Sequence, residues 1–164
     1  MTERDIQLAL YYYRCCKGRV YLMMPNVYLY NWESDILYIN DNRYVTEYEI
    51  KVSLSDFRND SKKEAKHKAL YETHSGPKQF YYVCPNRLIP LCEVPEYAGL
   101  MYVHKSKYIW NYKTEIVKKA PILKTKKLTD KQIEHIMYKS HKRYLRLFVD
   151  CWIEQDNLKY DLKR

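Results

Sequence analysis

The sequence predicts an α/β domain: a central mixed sheet of about four to six strands flanked by helices, then a long basic C-terminal helix. Three observations predict it. Short stretches rich in β-branched and aromatic residues recur at 20–30, 35–39, 44–52, 79–84 and 100–104, bounded by turn-forming residues. Apolar residues at helical spacing precede, interrupt and follow them. Gln79 to Cys84 is a continuous apolar-aromatic run, as in a strand covered on both faces. A chain of 164 residues suits one domain with a sizeable core.

Each element has its own signal. Residues 3–17 read as a helix whose apolar positions are Ile6, Leu8, Leu10, Tyr12, Tyr13 and Cys16, stopped by Lys17-Gly18. Its three consecutive tyrosines could stack on bases or pack on a sheet. Val20 to Tyr30 reads as one strand or two short ones, broken by Pro25-Asn26. Asp35–Ile39 and Tyr44–Val52 form two strands joined by the polar turn Asn40–Arg43. Ser53 with Asp56 resembles a capping box, opening a helix to about Glu72 with Phe57, Ala65, Ala69 and Leu70 inward and Lys62, Lys63, Lys66 and Lys68 outward. His67 and His74 read as surface positions. After the 79–84 strand come a turn at Pro85–Arg87, a short element at 88–92, a loop at 96–99, a strand at 100–104 and a closing strand at 108–112. Residues 113–127 read as a basic connector, either a mobile arm or a segment lying along DNA. Thr129 then caps a helix from about Asp130 to Asp156. This divides the chain into a domain at 1–112 and a connector with helix at 113–164.

Composition narrows the function classes. Tyr is abundant at 19 residues and aromatics make up 15% of the chain, which argues against disorder. No apolar run approaches the ~20 residues of a membrane span, and the N-terminus does not read as a secretory signal. The five cysteines include no C-x-x-C and have no histidine at zinc spacing, so they read as reduced thiols in a cytoplasmic protein (host-cell cytoplasm if viral). Over residues 1–104, 13 Lys/Arg cancel 13 Asp/Glu, leaving the whole net charge of +9 to residues 105–164. Such asymmetry points to a polyanionic partner.

The chemistry concentrates at Asp35 and Glu49-Ile50-Lys51, two acids and a lysine on adjacent strands before a helix start. Two neighbouring carboxylates stay ionised together only with a cation between them. Magnesium, or manganese in its place, takes one or two carboxylates, keeps several waters and shares substrate phosphate oxygens. A lysine beside it can orient water or stabilise charge developing on phosphate. Glu49 and Lys51 share a strand face, while the Ile50 carbonyl is a candidate third ligand and Glu33 an accessory one. Register is the test. A two-residue turn at Asp41-Asn42 pairs Asp35 with Tyr48 and puts Glu49 on the opposite face. A three-residue loop, Asp41–Arg43, pairs Asp35 with Glu49 and Glu33 with Lys51. The plainer alternative is an acid that merely starts a strand, with Glu49 and Lys51 on an exposed polar face.

The D…E-x-K layout resembles the PD-(D/E)XK nuclease superfamily. More closely, it is similar to the MmcB-like group of proposed DNA-repair nucleases and its phage relatives. The blocks that carry the likeness are W-E-S-D-I-L at 32–37, E-I-K-V-S at 49–53, S-D-F-R-N-D-S-K at 55–62, F-Y-Y-V-C-P at 80–85 and V-P-E-Y-A-G-L-M-Y-V at 94–103. They follow the family order across roughly residues 30 to 104. The resemblance implies a restriction-endonuclease-like core, metal binding by Asp35 and Glu49, and Lys51 as the catalytic lysine. Asp56, Asp60 and Lys62 match a signature of the same group to which the resemblance attaches no role. Superfamily members often carry an acid in the first helix; Glu3 is the only glutamate there, and its match is poor.

The expected function is therefore a magnesium-dependent nuclease cutting phosphodiester bonds in DNA, in repair or phage DNA processing. Ser53, at a helix N-terminus that favours phosphate, with Lys62, Lys63 and Lys66 of the following lysine run, would contact the nucleic acid. On the last helix, Ile133, Met137, Tyr144, Phe148, Cys151 and Trp152 recur at spacings of three, four and seven, with Lys139, Lys142, Arg143 and Arg146 on the other side. Three readings of that helix stand side by side: packing on the core with a solvated basic face, phosphate contact through counterion release, or docking of a second copy or a host protein. The corresponding rivals to a nuclease are an inactive DNA-binding repair accessory and a host-interaction protein. RNA stays open as a substrate and a homodimer as an assembly.

Overall fold

The computed structural model of the chain describes residues 1–15, 21–73, 75–107 and 111–161. Its elements are α1 (Glu3–Cys15), β1 (Leu22–Tyr28), β2 (Glu33–Ile39), β3 (Val45–Ile50), α2 (Leu54–Asp60), α3 (Glu64–Lys68), β4 (Gln79–Pro85), β5 (Gly99–Lys105), β6 (Tyr112–Lys118) and α4 (Asp130–Asp161). A π turn, Ala69–Thr73, follows α3, and a 3₁₀ turn, Leu91–Glu93, precedes β5. Two compact units divide the chain, Met1–Leu128 and Thr129–Arg164.

The first unit is built on one six-stranded mixed sheet in the order β1-β2-β3-β4-β5-β6. The β3–β4 and β4–β5 pairs are parallel and the others antiparallel. A parallel pair needs a crossover, and α2, α3 and the π turn supply it between β3 and β4. Strand side chains alternate, so each strand feeds two cores. Ile36, Tyr48, Ile50, Tyr81 and Val83 meet Ile6, Ala9 and Leu10 of α1 on one side. Phe80, Tyr82, Cys84 and Leu100 meet Phe57 of α2 and Leu70 of the π turn on the other. The apolar run in β4 is thus covered on both faces, as its composition predicts.

Several expectations are corrected. Helix α1 buries Ile6, Ala9 and Leu10 and turns Leu8 out, because its inward stripe follows three- and four-residue spacing; Cys16 and Lys17-Gly18 lie outside the described residues. The expected single helix to Glu72 is broken at Ser61–Lys63. Residues 60 and 66 of a continuous helix would point well apart, yet Asp60 and Lys66 are both buried. The break re-aims the chain so that both face inward. Ser61 stabilises it by donating its hydroxyl to the Arg58 carbonyl at 2.7 Å. Lys66 is therefore an inside residue and Ala65 an outside one, the reverse of the expectation.

The basic connector is also different. Residues 113–118 belong to β6, paired with β5, so 1–112 does not end the sheet. A lysine-bearing strand suits a sheet edge, where charge discourages further pairing. Downstream, Leu123 donates its N–H to the Lys78 carbonyl at 2.9 Å and Leu128 to that of Arg43 at 3.0 Å. This segment is a strap on the sheet and not a free arm. Residues 108–110, read as the start of a closing strand, lie outside the described residues.

The second unit is α4. Thr129 Oγ1 accepts from the Gln132 N–H at 3.3 Å, and Gln132 Oε1 accepts from the Thr129 N–H at 3.0 Å, a reciprocal capping box. Tyr144, Phe148 and Trp152 form an exposed aromatic ladder, with ring centroids 6.0 and 4.4 Å apart. Among the described residues no helix is long and apolar enough to cross a membrane.

The β4–β5 pair makes one stability prediction. Gly99 lies opposite Tyr81, and a Cβ there would come within 2.4 Å of the Tyr81 ring and 2.7 Å of the Ala120 nitrogen. Gly99→Ala should destabilise the fold by about 1–3 kcal/mol through overpacking. Urea unfolding checks this; an unchanged midpoint would contradict the packing described.

Candidate active site

The site begins with the β2–β3 hairpin. Ile39 pairs with Val45, Leu37 with Glu47 and Ile36 with Tyr48. Asp41, Asn42 and Arg43 therefore form a three-residue loop. Arg43 takes a left-handed conformation at φ 65° and donates its N–H to the Asn40 carbonyl at 2.8 Å. Such loops combine a turn with one left-handed residue. Asn40 secures it by accepting the Tyr44 N–H on its side-chain oxygen at 3.0 Å. Continuing that register sets Asp35 opposite Glu49. Beyond the paired residues β3 turns to β4, with the Lys51 N–H on the Val83 carbonyl at 2.9 Å. The Ile50 N–H faces the other way and is taken by Asp35 Oδ2 at 2.6 Å. In a strand the N–H and C=O of one residue leave the same edge, so the Ile50 carbonyl leaves on the Asp35 side as well.

Glu47, Glu49 and Lys51 are on one face of β3 and its extension, and all three are buried. Glu49 and Lys51, at 2% and 3% exposure, are not the exposed polar face of the plainer alternative. Glu49 Oε1 meets Lys51 Nζ at 2.9 Å and Lys63 Nζ at 3.2 Å, and its Oε2 meets Lys66 Nζ at 2.5 Å. Lys66 also reaches Glu47 at 3.1 Å, and the Trp32 indole N–H donates to Glu47 at 2.9 Å. Asp60 Oδ1 binds Lys51 at 3.0 Å and Lys63 at 2.9 Å, while its Oδ2 accepts from the Tyr82 hydroxyl at 2.9 Å. His67 Nε2 lies 2.8 Å from the Asp60 carbonyl and 3.4 Å from its carboxylate, and its Nδ1 is 2.6 Å from the Tyr97 hydroxyl.

The electrostatics separate Asp35, Glu47 and Asp60. Burial opposes ionisation of Asp60, but hydrogen bonds from His67 and Lys63 and the charge of Lys51 outweigh it and hold the carboxyl far below its usual range. Burial likewise opposes the charge on Lys51, and Glu49 and Asp60 more than restore it, so Lys51 stays an ammonium. Glu47 is pushed up, chiefly by burial, against the pull of Lys66. Asp35 is pushed up to about 7, first by burial and then by the charge of Glu49, with the Ile50 N–H only partly opposing. Glu3 of α1 adds a smaller push.

The structure thus brings together Asp35, Glu49, Ile50 and Lys51 with Asp60, Lys63 and Lys66. Asp60, whose role the sequence leaves open, is an ion-pair partner of Lys51. Asp56 stands 3.7 Å from Lys51 on a half-exposed side chain. Ser53 caps α2 by accepting the Asp56 N–H at 3.1 Å. Glu33 is exposed and pairs across to Tyr28 rather than Lys51, because β3 has left β2 by that point. Lys62 is exposed beside the cluster. Lys139, Lys142, Arg143 and Arg146 belong to the second unit and are exposed there. His67 is largely enclosed rather than a surface residue, whereas His74 lies outside the described residues. Sequence reasoning missed Glu47, Trp32, Tyr82 and Tyr97; the two-residue step from Glu49 is the one signal that could have found Glu47. Among the described residues, no three His, Cys, Asp or Glu side chains converge as a ready metal cage.

The raised Asp35 carboxyl has a stability consequence. Unfolded Asp35 releases its proton near 3.8 and folded Asp35 near 7, so the folded chain binds more protons between those values. Its contribution therefore falls as pH rises across that window and is fully lost above about 7. Asp35→Asn, which keeps an acceptor for the Ile50 N–H, should gain about 1–3 kcal/mol over wild type at pH 8 and less at pH 5. Urea unfolding at the two pH values decides it, and a variant less stable at pH 8 would contradict the electrostatics described.

Comparison with known proteins bears on the fold. No family model matches the chain. No curated protein matches it. A solved protein of unknown function from Silicibacter pomeroyi is similar over 90% of this chain and 89% of its own, with 15% identity and a TM-score of 0.61. That similarity shows a shared fold.

Proposed function

We propose that the protein is a metal-dependent nuclease that hydrolyses phosphodiester bonds in DNA. One observation carries the reading: the three-residue loop sets Asp35 opposite Glu49, with Lys51 on Glu49, at the point where β2 and β3 part. The donor set fits a hard cation that takes one or two carboxylates and keeps its waters. Asp35 and Glu49 would hold magnesium or manganese, with the Ile50 carbonyl as a third ligand. Such an ion supplies Lewis-acid polarisation of a phosphoryl oxygen and makes water a better nucleophile at neutral pH.

The chain's own residues do the rest. Lys51, kept charged by Glu49 and Asp60, orients the attacking water and stabilises negative charge gathering on the phosphate. Asp60 holds the Lys51 ammonium in place, and Tyr82 and His67 hold Asp60. The buried walls formed by Phe80 and Tyr82 lower the local dielectric, which strengthens each of these interactions.

A second reading, DNA binding without turnover, is favoured by one observation. Lys51, Lys63 and Lys66 together already neutralise Glu49, so a cation must compete with ammonium groups there.

A cleavage assay separates the two. It compares linear, circular, single- and double-stranded DNA with magnesium or manganese, and with EDTA as control. Wild type should cut only with metal, and Glu49→Ala and Lys51→Ala should each lose about 100-fold or more. Cutting that survives both changes would sink this site assignment. Salt-sensitive DNA binding without cutting would establish the second reading instead.

A further inference from the structure

A cleft of about 670 Å³ shares its wall with the acidic cluster. Tyr30, Asn31 and Trp32 line it from the β1–β2 connection, and Lys62, Lys63 and Lys66, with the single acid Glu64, from the broken helix. The Tyr30 and Trp32 rings stack with centroids 5.1 Å apart and planes 30° apart, and Glu47 anchors the Trp32 indole. The wall is therefore a fixed aromatic surface. Lys63 and Lys66 extend from the cleft onto Glu49, while Lys62 is exposed to solvent. A neighbouring cleft beside Phe57, His67 and Tyr97 is aromatic too, but its Arg58 is held by both oxygens of Glu93 at 2.8 and 3.0 Å. That guanidinium is the one Lys or Arg side chain of its cleft and is already neutralised, whereas Lys62 of the first cleft is exposed and enters no ion pair among the described residues, so the two clefts differ in their capacity for phosphate.

This combination discriminates between ligand classes. A duplex offers phosphates but hides its base faces within the stack. An aromatic wall beside the exposed Lys62 and Lys63 takes a phosphate and a bare base face together, which an unpaired nucleotide presents. We infer that this cleft holds an unpaired nucleotide of a DNA strand, with its base against Tyr30 and Trp32 and its phosphate on Lys62 and Lys63. The inference rests on the nuclease reading, and it names single-stranded or frayed DNA as the substrate. Lys63 links the cleft to the chemistry. Its side chain is 54% exposed, yet its ammonium bridges Glu49 and Asp60. A phosphate in the cleft offers Lys63 a partner outside the cluster, so strand entry also releases Glu49 from one of its ammonium groups.

Fluorescence anisotropy in EDTA tests this with the full chain, a short fluorescein-labelled oligodeoxynucleotide and the same strand annealed as a blunt duplex. The single strand should bind about tenfold tighter than the duplex, and Tyr30→Leu should abolish that preference while leaving duplex affinity unchanged. Lys62→Glu, at an exposed position that does not threaten folding, should weaken single-strand binding about tenfold. Equal affinity for the two forms would overturn the inference. So would a single-strand affinity that Lys62→Glu leaves untouched, even if Tyr30→Leu fails to fold. Because EDTA removes turnover, the two readings fail separately. Single-strand preference without any cutting in magnesium overturns the nuclease and leaves the cleft standing. Metal-dependent cutting with no such preference overturns only the cleft.

Discussion

Charge compensation in the interior is the constraint on which the rest of this structure depends. Glu47, Glu49 and Asp60 are withdrawn from water, and a buried carboxylate without a partner costs several kcal/mol. Lys51, Lys63 and Lys66 supply the compensation, three ammonium groups for three carboxylates. Much of the local backbone follows from bringing them together. The helix after β3 breaks so that Asp60 and Lys66 can both face inward. Trp32 and Tyr82 turn their polar ends onto Glu47 and Asp60, which leaves their rings as apolar wall.

Asp35 is the fourth acid, and its charge is the one least compensated. Its direct partner is a neutral backbone N–H, and burial first and the repulsive charge of Glu49 second oppose its ionisation. A lattice of buried ion pairs is weak evidence for stability, since well-packed apolar residues often do as well. Under the nuclease proposal its value lies in chemistry. Fixed charges in a low-dielectric setting need no reorganisation when negative charge gathers beside them. The unequal environments of Asp35 and Asp60 also fit a general pattern, in which functional sites push neighbouring acids apart in acidity.

The basic C-terminal part contributes differently. Its excess charge is distributed over β6, the strap and α4, where lysines and arginines are mostly exposed. Exposed cations of this kind attract polyanions at long range and are screened by salt. The three lysines of the cluster are fixed in place instead, because their ammonium groups are held by carboxylates at hydrogen-bonding distance.

Much of the fold was legible in the sequence because strands announce themselves by composition. The run in β4, the acid-led β2 and the helix capped by Thr129 stand where their residues predict. The register of the hairpin was legible too, as a choice between two loop lengths that put Glu49 on opposite faces. Elements governed by long-range pairing were not legible. Residues 113–118 look like a basic linker and become β6 only because β5 offers an open edge. Lys66 looks like any lysine on a solvated helix face, and it turns inward because Glu47 and Glu49, far away in sequence, need its charge. Thus the sequence by itself determined the fold class, five of the six strands and the acids and lysine of the D…E-x-K pattern, since periodicity and side-chain chemistry are local properties. Only the tertiary structure decided which further charges join them, because burial and compensation depend on what the folded chain brings within a few ångströms.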